Sequence, residues 1–355
     1  MQHATRTDRP LSVLVTGAGA PVAVSVLKAL RQSALKPRII ATDADPLSVG
    51  LFRADRAYVV PRIADDQASY AERLTEICLA ENVAMVCFGS EIEMWRMAPL
   101  VYDLERKTGA RLILNGTKLL EPFMDKWETF CLLRENELPV PDTVLATDQH
   151  EVREFLVRHP YPLIVKPRSG SGSKNVFLVR DSHQFELAAS FVEEPVLQEY
   201  LVPEEEEYTV GVYKSPRTGY VGQIVLRRTL SAGVTYKAEV IRSVEIESIC
   251  RKVVESFDVW GPINVQLRKT AAGVRIFEIN LRFSSSAVIR ACFGFNEPDM
   301  CLRDIVLGES LPAPSIRAGY ALRYWDEIYL DPAEHRAGAE DTATNHPVGR
   351  KSPDF

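Results

Sequence analysis

The chain has 355 residues, 46% hydrophobic and 25% charged, with a formal net charge of −6. That length has room for two to three domains, and the acidic balance argues against a basic nucleic-acid surface. No apolar run approaches the roughly 20 residues of a membrane span, and the polar start MQHATRTDRP lacks the apolar core of a signal peptide, so a cytoplasmic protein with no membrane or nucleic-acid partner is expected.

In chain order, LSVLVTGAGA (residues 11–20) reads as a buried parallel strand running into a glycine turn. PVAVSVLKALRQS follows as a helix, with Pro21 suited to its first turn and Val22, Val26, Leu27 and Leu30 on one face. PRIIATDADP is a second strand, YAERLTEICLAENV a helix and AMVCFGSE a third strand. This alternation predicts a doubly wound parallel sheet over residues 1–118. Gly17 and Gly19 open a GxG pattern, but Val22 stands where a dinucleotide fingerprint has its third glycine, so a structural turn is expected ahead of a nicotinamide site. Asp43 and Asp45 either cap a turn or bind a ribose.

LEPFMDKWETFCLLRENELPVPDT reads as one helix closed at Pro139 and Pro141. YPLIVKPRSGSGSKNVFLV is strand, glycine-rich loop, strand, and PVLQEYLVPEEEEYTVGVYK is strand, acidic loop, strand. GYVGQIVLRRTL, INVQLRK and VRIFEINLRF are further strands. Residues 119–312 are therefore expected to form an α+β domain with two helices. Past residue 330 the chain turns polar and turn-rich, which predicts a partly disordered tail to a C-terminal extension, 313–355. Six scattered cysteines without a CxxC pair read as reduced core residues, and six histidines without HxxxH or HxH spacing argue against zinc.

Three stretches carry chemistry. In KPRSGSGSKNV, Lys166 ends a strand, Lys174 lies in the loop, and Ser169, Gly170, Ser171, Gly172 and Ser173 separate them. Small residues let backbone N–H groups close over phosphate oxygens. A flexible hairpin tip is the alternative, but the flanking cations favour phosphate. In LQEYLVPEEEEYTV, the run Glu204–Glu207 is either solvated or supplies one or two carboxylates to a ribose, with QEYL as a hinge. In FEINLR, strand alternation sends Glu278, Asn280 and Arg282 to one face, which Ile276, Ile279 and Leu281 need not share. Pairing with NVQLRK would bring Gln266 to Glu278 and Asn280, an oxygen-only set suited to Mg²⁺; an exposed polar face is the alternative.

In this order, DKW, LIVKPRSGSGSKNV, LQEYLVPEEEEYTV, NVQL and FEINLRFSSSA resemble the ATP-grasp superfamily, in particular members similar to the carbamoyl-phosphate synthase large chain and biotin carboxylase, over about residues 11–312. The resemblance implies an α/β pre-ATP-grasp, Rossmann-like domain (1–118) followed by a two-subdomain ATP-grasp fold, with a lid subdomain at about 119–200 and a C-terminal subdomain at about 201–312. It implies that Lys126 and Lys166 hold the α- and β-phosphates of ATP and that loop 169–174 covers the triphosphate. Gln198, Glu199, Tyr200 and Leu201 would form the adenine hinge, through the Glu199 carbonyl and the Leu201 amide, and Glu207 would take the ribose. Gln266, Glu278 and Asn280 would ligate two Mg²⁺ ions, with Mn²⁺ able to substitute. Arg282, Lys166 and Arg228 would be catalytic, Arg282 meeting the transferred phosphoryl group. Arg228 and Lys237, in RRTLSAGVTYK, would border the acceptor pocket, joined by Glu91 and Glu93 unless these only start a helix.

Two departures stand out: Leu281 replaces a proline common in similar proteins, and Ser284, Ser285 and Ser286 stand where carbamoyl-phosphate synthases carry a second arginine, which speaks against bicarbonate. The implied activity is an ATP-dependent carboxylate–amine ligase that joins a small-molecule acid and amine through an acyl-phosphate, releasing ADP and phosphate; similar proteins are commonly homodimers. The alternatives are bicarbonate or carbamate phosphorylation, a non-catalytic nucleotide-binding protein and, behind these, an NAD-dependent oxidoreductase.

Overall fold

A computed structural model describes residues 10–170, 174–330 and 350–351. The fully buried strand β1 (Ser12–Val15) sits at the centre of a parallel sheet. Its partners are β2 (Arg38–Asp43), β3 (Arg56–Val59), β4 (Val83–Cys87) and β5 (Arg111–Ile113), in the order β3-β2-β1-β4-β5. The strand order therefore reverses between β1 and β4. Two of these strands, β3 and β5, were not expected: RAYV and RLI are too short to show a period. Helices α1 (Pro21–Arg31), α2 (Gln67–Ala80), α3 (Glu91–Met97) and α4 (Val101–Thr108) connect the strands.

The single helix expected next is two, α5 (Thr117–Met124) and α6 (Lys126–Glu135). Asp125 breaks it: its backbone is extended (φ −104°, ψ 120°), and its carboxylate accepts the N–H groups of Trp127 and Glu128 as the N-cap of α6. Then come β6 (Thr143–Leu145), α7 (Gln149–Arg158), β7 (Leu163–Pro167), β8 (Phe177–Val179), α8 (Ser182–Phe191) and β9 (Pro195–Glu199). These form a small lobe around an antiparallel sheet ordered β6-β9-β7-β8. Its core, around Phe155, Leu163, Val165 and Leu197, is separate from the others.

The largest sheet is antiparallel. It is built from β10 (Glu207–Ser215), β11 (Gly219–Ser231), β12 (Val234–Ile241), β13 (Gly261–Thr270), β14 (Gly273–Asn280) and β15 (Tyr320–Leu322), in the order β14-β13-β10-β11-β12-β15. Helix α9 (Val244–Ser256) joins β12 to β13, and α10 (Ala287–Cys292) and α11 (Glu297–Cys301) follow β14. One face of this sheet shares a core with the parallel-sheet region, so that Val210, Ile276 and Ile279 lie in the same cluster as Tyr70 and Leu74. Leu120, Phe123 and Leu133 of α5 and α6 join that cluster. These two helices thus pack with the large body, although the family resemblance groups them with the lid; their apolar faces match that core.

The extension beyond residue 312 is partly ordered: β15 extends the large sheet, and β16 (Ile328–Tyr329) pairs with β17 (Arg350–Lys351). The rest of the expected tail, and Ser171, Gly172 and Ser173, lie outside the described residues. Of the six cysteines, Cys78, Cys87, Cys250 and Cys301 are buried, Cys131 is half-buried and Cys292 is exposed. Among the described residues no helix is long and apolar enough to cross a membrane.

A β-bulge in β14 positions the site. Gln266 pairs with Glu278, but Leu267 pairs with Ile276, leaving Phe277 as the extra residue. Strict alternation from Glu278 would put Ile276 on its face. The extra residue instead puts Val274 and Ile276 with Ile279 on the core face, all nearly fully buried, and leaves Glu278 and Asn280 on the other.

Candidate active site

The cleft between the small lobe and the large sheet is built by register. On β11, β10 and β13, Arg228, Glu207 and Arg268 lie side by side, because Glu207 pairs with Arg268 and Tyr208 with Arg227. Two residues along, Thr209 pairs with Gln266, and Gln266 with Glu278. Two short polar rows therefore lie side by side on the face opposite Val210 and Val265. The cleft above them, about 230 Å³, is lined by Lys126, Lys166, Gly170, Lys174, Glu207 and Glu278, among others. Ile164, Val176 and Phe277 supply apolar walls, and Gln198, Glu199, Tyr200 and Leu201 one end.

Two lysines dominate its electrostatics. Lys166 is buried at the end of β7, donating to Gln198 Oε1 at 2.8 Å. Burial and the neighbouring Lys126 charge push its pKa down to about 8, against the opposing pull of Glu278. Lys126, at the first position of α6, donates to the Gly170 carbonyl at 2.7 Å. Burial lowers its pKa too, with Glu278 again opposing. A link between α6 and β7 sets both: Arg168 grips Asp125 (Nε–Oδ2 2.9 Å), and the Lys126 N–H bonds the Arg168 carbonyl at 2.8 Å. Two ammonium groups whose charged forms are penalised make a site that an anion stabilises.

Glu278 faces them. Its Oε1 accepts from Asn280 Nδ2 at 3.0 Å, while Glu278 Oε2 and Asn280 Oδ1 have no hydrogen-bond partner among the described residues. One carboxylate with an amide oxygen, and no cluster of three acids, histidines or cysteines among the described residues, fits Mg²⁺, which takes few protein ligands plus phosphate oxygens. Gln266 lies directly opposite Glu278, but its Oε1 accepts from Arg228, which competes with a metal for that oxygen.

The other expected residues differ in how they relate to the cleft. Arg228 is buried, its guanidinium bonded to Glu207 (2.9 Å) and Gln266, and it is absent from the cleft lining. Its geometry is that of a residue positioning its neighbours. Glu207 does line the cleft, but as a carboxylate held between Arg228 and Arg268. Ser169 is exposed and does not line the cleft, and Lys237 is likewise exposed. The Leu201 carbonyl accepts from Arg268 at 2.6 Å, and the Leu201 N–H has no backbone partner among the described residues.

A smaller cavity adjoins, lined by Glu91, Met94, Lys126, Gly170, Glu278, Asn280 and Arg282. Arg282 reaches across to the parallel-sheet region, donating to Glu91 Oε1 from Nε at 3.0 Å. Glu93 turns the other way. It is buried, accepts from Thr16 (2.7 Å) and Tyr70 (2.8 Å), and burial pushes its pKa up to about 7. Asp43 caps the glycine turn, accepting the Gly19 N–H at 2.8 Å and the Asp45 N–H at 2.9 Å, so the turn-capping reading holds.

Sequence reasoning missed Asp125, Arg168, Phe277 and Arg268. Only Arg268 left a usable signal: it follows Gln266 by two residues and so shares its face.

Residues 123–286 match the model of the ATP-grasp domain, and residues 13–98 that of the PylC-like N-terminal domain. The carbamoyl phosphate synthase large chain of Methanosarcina barkeri is 22% identical over 280 residues, 74% of this chain and 25% of that protein. The chain thus spans about a quarter of that relative's length. Among solved structures, the ADP complex of PurK, an N5-carboxyaminoimidazole ribonucleotide synthetase, superposes with a TM-score of 0.69 at 18% identity, covering 88% of this chain and 81% of that one. The L-amino acid ligase from Bacillus licheniformis gives a TM-score of 0.62 at 14% identity, with 84% and 75% coverage.

Proposed function

Because the chain carries an ATP-grasp domain behind a PylC-like N-terminal domain, we propose that it is an ATP-dependent carboxylate–amine ligase acting through an acyl-phosphate. The observation that carries this reading is the apposition of Lys126 and Lys166 with Glu278 and Asn280 around adjoining cavities between two sheets. A carboxylate is a poor acylating agent because oxide is a poor leaving group. Transfer of the γ-phosphoryl group to it forms a P–O bond and releases ADP; the amine then attacks the carbonyl carbon, loses a proton, and phosphate departs.

In such a transfer, positioning and charge neutralisation do most of the work. Lys166 and Lys126 neutralise phosphate charge. Ile164, Val176 and Phe277 form the walls for the base, with the Leu201 N–H able to donate to its edge. Arg282, held by Glu91 at the cavity beyond Glu278, serves the transferred group. Arg228 and Arg268 hold Glu207 in place for a ribose. Bound Mg²⁺, held by Glu278 and Asn280, would supply further charge neutralisation; the reading extends to two such ions and to Mn²⁺ in their place. It also extends to a cytoplasmic, dimeric enzyme.

The test is ADP release across a matrix of acids and amines, with bicarbonate among the acids. We expect release that needs one acid and one amine together, and a loss of about a hundredfold or more in Lys166→Ala and Glu278→Ala, the scale of one electrostatic contact at a transition state. ADP release from either variant at the wild-type rate overturns the reading. Release with bicarbonate alone would favour the carbamoyl-phosphate-like alternative.

A further inference from the structure

A third cavity, about 270 Å³, lies where the first turns of α1 and α10 meet the β11–β12 hairpin and the chain after β15. Its walls are mainly apolar: Pro21, Val24, Val288, Tyr236, Tyr324 and Trp325. Tyr324 and Trp325 are 78% and 83% exposed, aromatic surface that nothing in the described residues covers. Against this surface the charge is one-sided. The lining holds two cations, Lys28 and Arg323, and no acid, in a chain whose net charge is −6.

Arg323 is the informative group. It is half-buried, and burial lowers its pKa. Its guanidinium donates from Nη2 to the Ser285 carbonyl at 2.7 Å and forms no ion pair among the described residues. Most other buried or half-buried arginines around the clefts, such as Arg228, Arg268, Arg282 and Arg290, face a carboxylate. A guanidinium held by one carbonyl retains unused N–H donors in a fork that matches a carboxylate. Ser285 also lies three residues beyond Arg282, so this cavity and the phosphoryl end of the cleft share one loop.

We propose that this cavity binds a small organic acid with an apolar, ring-sized body, its carboxylate on Arg323 and its body against Trp325 and Tyr236. That this acid is a substrate of the ligase rests on the function proposed above; its binding does not. The cavity is lined by residues on both sides of the β11–β12 turn and by the chain beyond residue 312, so specificity would be set outside the nucleotide cleft.

Binding is tested without nucleotide on the full chain. Isovalerate, 3-phenylpropanoate and indole-3-propionate are titrated by calorimetry, with 3-phenylpropanamide and phenethylamine as uncharged and cationic counterparts, and quenching of Trp325 is isolated by comparison with Trp325→Phe. We expect at least one acid to saturate the site, at least tenfold more tightly than the amide or the amine, and Arg323→Met to lose at least tenfold for that acid while ATP binding stays at the wild-type level. Equal affinity for acid and amide, or an unchanged Arg323→Met, overturns the proposal. So does the absence of saturable binding by all three acids, as when the chain's own C-terminal residues or a second copy fill the groove. If an acid binds as expected but supports no ADP release with any amine, the cavity stands and its role as the substrate site fails; the ligase reading itself is decided by the acid–amine matrix.

Discussion

Lys166 ties the site's structure to its pH response. With a pKa of about 8 in the nucleotide-free protein, it is charged below pH 8 and neutral above it. A bound triphosphate favours the charged form and raises that pKa, so ATP binding takes up a proton in the window above 8. Affinity should be flat from pH 6.5 to 7.5 and fall by up to about tenfold per pH unit above 8. Calorimetric ATP titrations at pH 7 and 9 check this, and a pH-independent Kd would refute it. Glu93 makes the opposite kind of case. Its folded pKa, about 7, lies above its usual 4.5, so the folded state holds an extra proton between these values and loses stability as pH rises through them. We expect Glu93→Gln to hold its Tm between pH 5 and 8 while the wild type loses about 3 kcal/mol at most; parallel melting curves for the two proteins would rule the idea out. Lys166, Glu278 and Asn280 were legible in the sequence because short-range pattern marks them, and Lys126 only through the family resemblance of DKW. The Arg282–Glu91 contact was not, since the partners lie 191 residues apart and only the fold joins them.

Among elements, β14 shows where pattern reading succeeds and where it falls short. Alternation correctly put Glu278 and Asn280 on one face and, by pairing, Gln266 beside them. It could not show that Phe277 is an extra residue, because a bulge adds one apolar side chain to a run already apolar. Removing Phe277 would restore unbroken alternation, with Ile276 and Ile279 still inside and Glu278 still outside. The deletion variant should therefore fold, with a Tm within a few degrees of wild type, but bind ATP at least tenfold more weakly, because the bulge aims the Phe277 wall and Glu278 into the cleft. Thermal melts and ATP titration decide; unchanged ATP affinity would show that the bulge has no part in the site. The break between α5 and α6 was hidden for a related reason. Asp125 can sit within a helix or cap one, and its long-range partner Arg168 favours the second.

On the scale of the whole molecule, the parallel-sheet region and the large sheet share cores, while the lobe from β6 to β9 has its own. The linear alternation of strands and helices revealed the first region and the strand-rich second, but not which helices join which core. Such packing predicts a lower local stability for the lobe in the absence of nucleotide. Hydrogen exchange should show Leu163, Val165 and Leu197 exchanging faster than Val210 and Val265, with ATP at a hundred times its Kd narrowing the gap by up to about 2.7 kcal/mol. Uniform protection across both sets would contradict a separately packed lobe. The same partition bears on engineering: residues 143–199 amount to an exchangeable cassette, and a counterpart transplanted from a distant homologue should retune nucleotide preference while leaving the choice of acid, which we assign to the cavity at Arg323 outside this lobe, as it was.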